Sequence, residues 1–196
     1  MSDNNRIIVV SGLPRSGTSL MMQILQAAGI PLLTDNERPA DSNNPKGYFE
    51  FERVKSLPND IAWLPDARGK AVKIISHLLY HLPDTYSYAV IFMNRDLDEI
   101  IQSQNKMLQK MNQPLGQLSR IRLKERFALH LQKIHWWLSA RPNFVFQDVR
   151  FSDLIFSPHS ELRKVWQFLG TESLTEAVLP VIDSGLYRNR TDDQGR

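Results

Sequence analysis

Short runs of consecutive apolar residues alternate along this chain with longer segments in which apolar residues recur every three or four positions. The runs read as strands buried on both faces, the periodic segments as helices with one apolar side. The first run, Ile7-Ile-Val-Val10, predicts a strand over 6–11 that a glycine turn ends. A helix over 18–28 follows, with Leu20, Met21, Ile24, Leu25 and Ala28 as its stripe and Gly29 as its stop. Residues 30–48 are rich in Pro, Asp and Asn and read as a long surface loop, a length often tied to function. A short helix over 49–57, a buried strand over 70–75 and a third strand over 88–94 come next. Helical spacing returns over 97–111, breaks at Asn112-Gln-Pro-Leu-Gly116, and resumes over 118–140 until Arg141-Pro142. Residues 143–149 give a fourth strand. The last marked helix starts at Ser157-Pro158, an N-cap followed by proline at the first helical position. It turns Leu162, Val165, Trp166 and Leu169 inward and ends at Gly170. This alternation predicts an α/β fold of three layers, a mainly parallel central sheet flanked by helices, in a single domain over 1–196.

Composition narrows the class. Hydrophobic residues make up 42% and charged residues 23% of the 196, the balance of a soluble globular protein. No apolar run approaches the roughly 18 residues of a membrane span, and the polar start Met1-Ser-Asp-Asn-Asn5 has no secretory character. The absence of cysteine excludes a disulfide framework and a thiolate metal site, so a cytoplasmic protein without a membrane partner is expected. The net charge of +3 comes from 24 basic and 21 acidic residues scattered without a basic block. That suits a small anionic ligand better than nucleic acid, which is not expected as a partner.

The chemistry concentrates just after the first strand, in Gly12-Leu-Pro-Arg-Ser-Gly-Thr-Ser19. A strand, a glycine loop and a helix N-terminus in succession cradle a phosphate: loop N–H groups converge on one spot and the helix dipole favours an anion there. The spacing is that of a P-loop with one change. Where nucleotide-hydrolysing loops have lysine stands Thr18, and the cation is Arg15, three residues earlier. Pro14, Arg15, Ser16, Gly17, Thr18 and Ser19 are the expected phosphate-binding residues. A second constellation is Arg95-Asp-Leu-Asp-Glu-Ile-Ile-Gln-Ser103. Arg95 leaves the C-terminal end of the third strand, where ligands of open α/β sheets bind, and Ser103 lies about two turns into the next helix. Together they make a receptor for a terminal phosphate.

The loop resembles the 5′-phosphosulfate loop of sulfotransferases, particularly the bacterial and tyrosylprotein types with Pro-Arg-Ser-Gly-Thr. Arg95 and Ser103 resemble that family's 3′-phosphate site, an arginine at a strand end and a serine eight residues later. Arg150-Phe-Ser-Asp-Leu-Ile, followed by Glu161-Leu-Arg-Lys-Val-Trp-Gln-Phe-Leu-Gly170, is similar to its strand-to-helix segment ending in Phe-Leu-Gly. The resemblance implies a P-loop-type fold and transfer of a sulfuryl group from 3′-phosphoadenosine 5′-phosphosulfate (PAPS) to a hydroxyl or amine of a small molecule or peptide, with no metal. It also implies that Arg15 stabilises the leaving 5′-phosphate, and that a basic stretch near the end, here with Arg188, closes over the 3′-phosphate.

The base is the least defined element. The tyrosylprotein and heparan types place a glutamate roughly twenty residues after the loop cation, which implies Glu37, 22 residues after Arg15. Cytosolic members use a histidine in Lys-Thr-His; Lys73-Ile-Ile-Ser-His77 is loosely similar and makes His77 second, with Glu50 third. Lys73 adds a cation at a strand end, and the adjacent Trp136 and Trp137 read as core. Two rival readings stay open: a P-loop kinase using Lys70 or Lys73 with Asp148 on Mg²⁺, and a non-catalytic nucleotide-binding module.

Overall fold

The structure, a computed structural model, describes residues 5–35, 37–39, 41, 44, 47–110, 112, 113, 115–171, 175–183 and 185. Four parallel strands form one sheet in the order β2-β1-β3-β4: β1 (Ile7–Gly12), β2 (Ala71–Lys73), β3 (Tyr88–Asn94) and β4 (Phe144–Arg150). The chain leaves β1 toward β2 and then crosses back to place β3 on the other side of β1. The point where strand order reverses therefore lies between β1 and β3, where Gly12 pairs with Met93.

Alternation along the strands sends side chains to two cores. Val9, Val90, Phe92 and Phe144 face one side, under short 3₁₀ turns at Glu52–Ser56, Leu64–Ala67 and Ser76–His81 and under helix α3 (Gln117–Ser139). Val10, Ile91, Met93 and Val149 face the other, under α1 (Thr18–Ala27), α4 (Phe151–Phe156) and α5 (Pro158–Leu169). Helix α2 (Leu97–Lys110) follows β3 and packs beside α3. A short α6 (Thr175–Val178) lies against α1 and α5. The three layers match the sequence reading.

Differences are local. The expected second strand shrinks to three residues, and the short helix over 49–57 is a 3₁₀ turn. Residues 151–156 form a helix with no long periodic pattern to announce it. Ser157 precedes α5, but its side chain makes no capping bond. Of the two tryptophans read as core, Trp137 packs edge-on against Phe144, while Trp136 is 73% exposed. Neighbours on a helix point about 100° apart, so one of the two had to face away from the sheet.

Candidate active site

The loop after β1 takes its shape from three residues with positive φ. Gly12 stands at φ 145°, and a Cβ there would meet the Met93 carbonyl oxygen and Ser16 Oγ, both at 2.5 Å. Gly17, at φ 101°, precedes α1, and a Cβ there would collide with the Phe151 ring. Only glycine permits both the backbone geometry and the approach. Between them Arg15 is itself left-handed at φ 75°, and the Ser16 N–H closes a turn on the Leu13 carbonyl at 3.1 Å. Ser16 Oγ is buried with no hydrogen-bond partner among the described residues.

Three of the predicted residues meet here. Arg15 Nε donates to Ser103 Oγ at 2.9 Å across 88 residues of sequence. Arg95 NH1 donates to the Arg15 carbonyl at 3.3 Å, while its Nε donates to Glu99 Oε2 at 2.8 Å. The guanidinium of Arg95 also lies over the Phe151 ring, 4.5 Å from its centre. Burial lowers the Arg15 pKa and the nearby Arg95 adds to that, while Tyr48 and Asp41 pull the other way.

A second cluster packs on the start of α1. Lys73 is buried, its ammonium donating to the Tyr48 carbonyl, facing Glu50 Oε1 at 3.3 Å and reaching Ser19 Oγ at 3.5 Å. Burial lowers its pKa, and Glu50 opposes the shift. Ser19 Oγ also accepts from Asn44 Nδ2 at 3.0 Å. Arg38 covers the Tyr48 ring at 3.4 Å and pairs with Glu50 at 3.0 Å, and the Tyr48 hydroxyl donates to Asp41. The loop read from composition alone thus folds onto the phosphate loop. Asp41, Asn44 and Tyr48 were not anticipated; the aromatic pair in Gly47-Tyr-Phe-Glu50, set in a polar stretch, was the available sign.

The candidate bases are placed differently from one another. Glu37 is exposed, and its own N–H donates to Asp35 Oδ1 at 3.1 Å. His77 is exposed in the turn after β2, with a pKa lowered by partial desolvation and by His81. Among the described residues no hydrogen bond or ion pair joins either side chain to the loop. Glu50 alone of the three is linked to it, through Lys73. Pro14 and Thr18 lie within the loop and at the head of α1, and Arg188 lies outside the described residues.

Asp148 is held by two neighbours through one carboxylate oxygen. Its Oδ1 accepts from Asn94 Nδ2 at 2.5 Å and contacts His135 Nε2 at 2.8 Å. His135 Nδ1 faces the Leu131 carbonyl at 2.8 Å, an oxygen that can only accept, so Nδ1 carries hydrogen and Nε2 is the nitrogen turned to the carboxylate. The bond to Asp148 raises the His135 pKa. Burial pushes Asp148 up, but the bonds from His135 and Asn94 outweigh it and leave its pKa lowered. The carboxylate that the kinase reading assigns to Mg²⁺ is thus engaged through one of its two oxygens. Among the described residues no group of three or more acidic or histidine side chains is gathered to hold a metal, and no helix is long and apolar enough to cross a membrane.

Comparison with known proteins gives the family and the fold. A model of the Sulfotransferase family matches residues 33–176, a span that starts beyond the phosphate loop and includes Arg95 and Ser103. No curated protein matches the chain in sequence. Among solved structures it is similar to the sulfotransferase domain from the Synechococcus PCC 7002 olefin synthase, at 16% identity and a TM-score of 0.53, over 98% of this chain and 82% of that one. It is also similar to the sulfotransferase domain from the curacin biosynthetic pathway, at 18% identity and a TM-score of 0.52, over 90% and 77%. At such identities these likenesses speak for the fold.

Proposed function

Because the chain belongs to the sulfotransferase family, we propose that it binds PAPS at the loop between β1 and α1 and moves the sulfuryl group to a hydroxyl or amine of an acceptor. The observation that carries this reading is the meeting of Arg15, Arg95 and Ser103 at the point where strand order reverses. Two arginines and a hydroxyl at the mouth of a glycine loop suit a ligand with two separate phosphates. The unsatisfied Ser16 Oγ and the close-packed Gly12 and Gly17 fit a loop wrapped around an anion.

Each residue then has a role. The loop N–H groups and Arg15 hold the 5′-phosphate and stabilise the charge that grows on it as it leaves. Arg95 and Ser103 hold the 3′-phosphate, with Arg188 closing over it. Lys73, beside Ser19, sets a third cation against the transferred group. When bound, PAPS supplies the activated sulfuryl group: its bond to the 5′-phosphate oxygen breaks while the acceptor atom bonds sulfur. Glu37 takes the acceptor's proton, with His77 the second choice; the Glu37 carboxylate is exposed, whereas Glu50 is engaged by Arg38 and Lys73. The acceptor is a small molecule or peptide, and the protein works in the cytoplasm as one domain.

Calorimetric titration with adenosine 3′,5′-bisphosphate in the presence of EDTA tests the donor site. Binding without metal is the expected result. Binding of Mg-ATP with silence toward the bisphosphate would refute it.

A further inference from the structure

Helix α3 carries apolar side chains on two opposite sides, and the sheet uses only one of them. At about 100° per residue, Ile134 and Leu138 point at the core, while Leu118, Leu129 and Trp136 point the other way to within about 20°. Those three are 61%, 51% and 73% exposed, and Ile121 beside them is 51% exposed. From Leu118 to Trp136 the line runs about 27 Å along the helix axis.

The charge beside this line is mostly of one sign. Arg122, Arg126 and Lys133 stand exposed on one flank of it, about 40–80° round the helix. Among the described residues no hydrogen bond or ion pair engages these three side chains, whereas Lys124 pairs with Asp98 and Arg120 donates to the Leu115 carbonyl. The one carboxylate on α3 is Glu125, close to the line and one turn from Arg122. Pairing α3 with a second copy of itself would set only the two Glu125 side chains against six cations, three from each copy, so charge opposes self-association. A protein partner's contact concentrates in a central cluster ringed by near-neutral contacts, whereas these apolar groups are strung out along a single convex helix. A bilayer surface conforms to such a ridge and supplies the anions.

We propose that the outer face of α3 docks on an anionic lipid bilayer. Leu118, Leu129 and the Trp136 ring sink to the headgroup boundary, and Arg122, Arg126 and Lys133 lie against lipid phosphates. An indole suits that depth, because its ring is apolar and its N–H is polar. The sequence led to no expectation of a membrane partner because no segment spans a bilayer, and among the described residues no helix is able to; a surface contact needs no span. The inference does not rest on the donor reading, since none of these side chains belongs to the donor site.

The test is sedimentation of the full chain with vesicles of pure phosphatidylcholine and with vesicles of which half the lipid is phosphatidylglycerol. Binding to the anionic vesicles alone is expected. It should bring a blue shift of tryptophan emission that Trp136→Phe removes, because Trp63 and Trp166 are 1% exposed and Trp137 packs on Phe144. Salt at about 1 M, where the Debye length is about 3 Å, should release most of the protein. Trp136→Ser should weaken partitioning about tenfold. Arg126→Ala and Lys133→Ala should each weaken it about fivefold. Arg163 is exposed on α5, across the sheet from α3, and Arg163→Ala should leave partitioning unchanged. These side chains are at the surface, so melting temperatures should stay native; if Trp136→Ser does not fold, the two cation variants give the same reading. No binding to the anionic vesicles overturns the inference, as does equal binding to both kinds or an equal loss in Arg163→Ala. A protein indifferent to vesicles, dimeric, and made monomeric by Leu129→Glu would give this face to a second copy and overturn it too.

Discussion

Removing Arg95 disturbs stability and ligand choice by separable amounts. Its side chain is 10% exposed and that of Glu99 4%, with 2.8 Å between Nε and Oε2. Arg95→Ala therefore takes a guanidinium away from a buried carboxylate, and breaking a buried ion pair from one side costs about 3–5 kcal/mol. For a chain of this length each kcal/mol moves the melting temperature by about 2–4 °C, so Tm should fall by about 6–20 °C. Replacing both members with apolar residues, Arg95→Met with Glu99→Leu, should restore most of that loss, because neither member of the pair then keeps a charge. Neither variant should distinguish adenosine 3′,5′-bisphosphate from AMP as the native protein does. A charged hydrogen bond to phosphate is worth about 1.5–3 kcal/mol, or about ten- to a hundredfold in affinity. Differential scanning calorimetry and ligand titration give the two readings on one sample. A Tm loss under about 3 °C would refute the buried-pair argument. Stable double variants that kept full preference for the bisphosphate would refute the placing of the 3′-phosphate.

Two further outcomes follow from particular contacts. Gly17→Ala drives a Cβ into the Phe151 ring from a left-handed backbone, so affinity for the bisphosphate should drop at least tenfold; adding Phe151→Ala should relieve the clash and recover part of it, and a single variant with native affinity would show that the loop tolerates the side chain. The His135–Asp148 pair should stabilise the fold only over a window of pH. His135 has a raised pKa, so its contribution is whole below about pH 6.5, the ordinary value, and is lost as pH rises through the folded one; Asp148 has a lowered pKa, so its contribution is whole above about pH 4 and is lost on acidification. The Tm difference between native protein and Asp148→Asn should thus be largest between those limits and shrink above neutrality. A difference that stayed flat from pH 5 to 9 would refute a pair that gains from the charge on His135.

What the sequence determined is what depends on neighbours along the chain. The strands β1 and β3 and the helices α1, α2, α3 and α5 were legible because backbone geometry converts a run or a period of apolar residues directly into an element. The phosphate loop was legible for a related reason: Gly12 and Gly17 are forced by local φ, and local constraint writes itself into fixed spacing. Arg95 and Ser103 were found as a pair because one stands between β3 and α2 and the other about two turns into α2, a spacing the chain itself fixes. Tertiary structure decided the rest. That Arg15 bonds Ser103, that Lys73 reaches Ser19, and that the Tyr48 carbonyl accepts from Lys73 and Ser19 follow from α1, α2 and the segment after α1 meeting at these contacts. Nothing in residues 38–50 states by itself where they dock. The sequence marked Asp148 as a strand-end carboxylate and could not show that His135, from a helix packed over the same face, had already claimed it. It also could not tell which of Trp136 and Trp137 meets the sheet, because the rotation of α3 about its own axis is set by the packing of Ile134 and Leu138 beneath it. Contacts between residues far apart in the chain cost loop-closure entropy and are fixed only when the whole core forms.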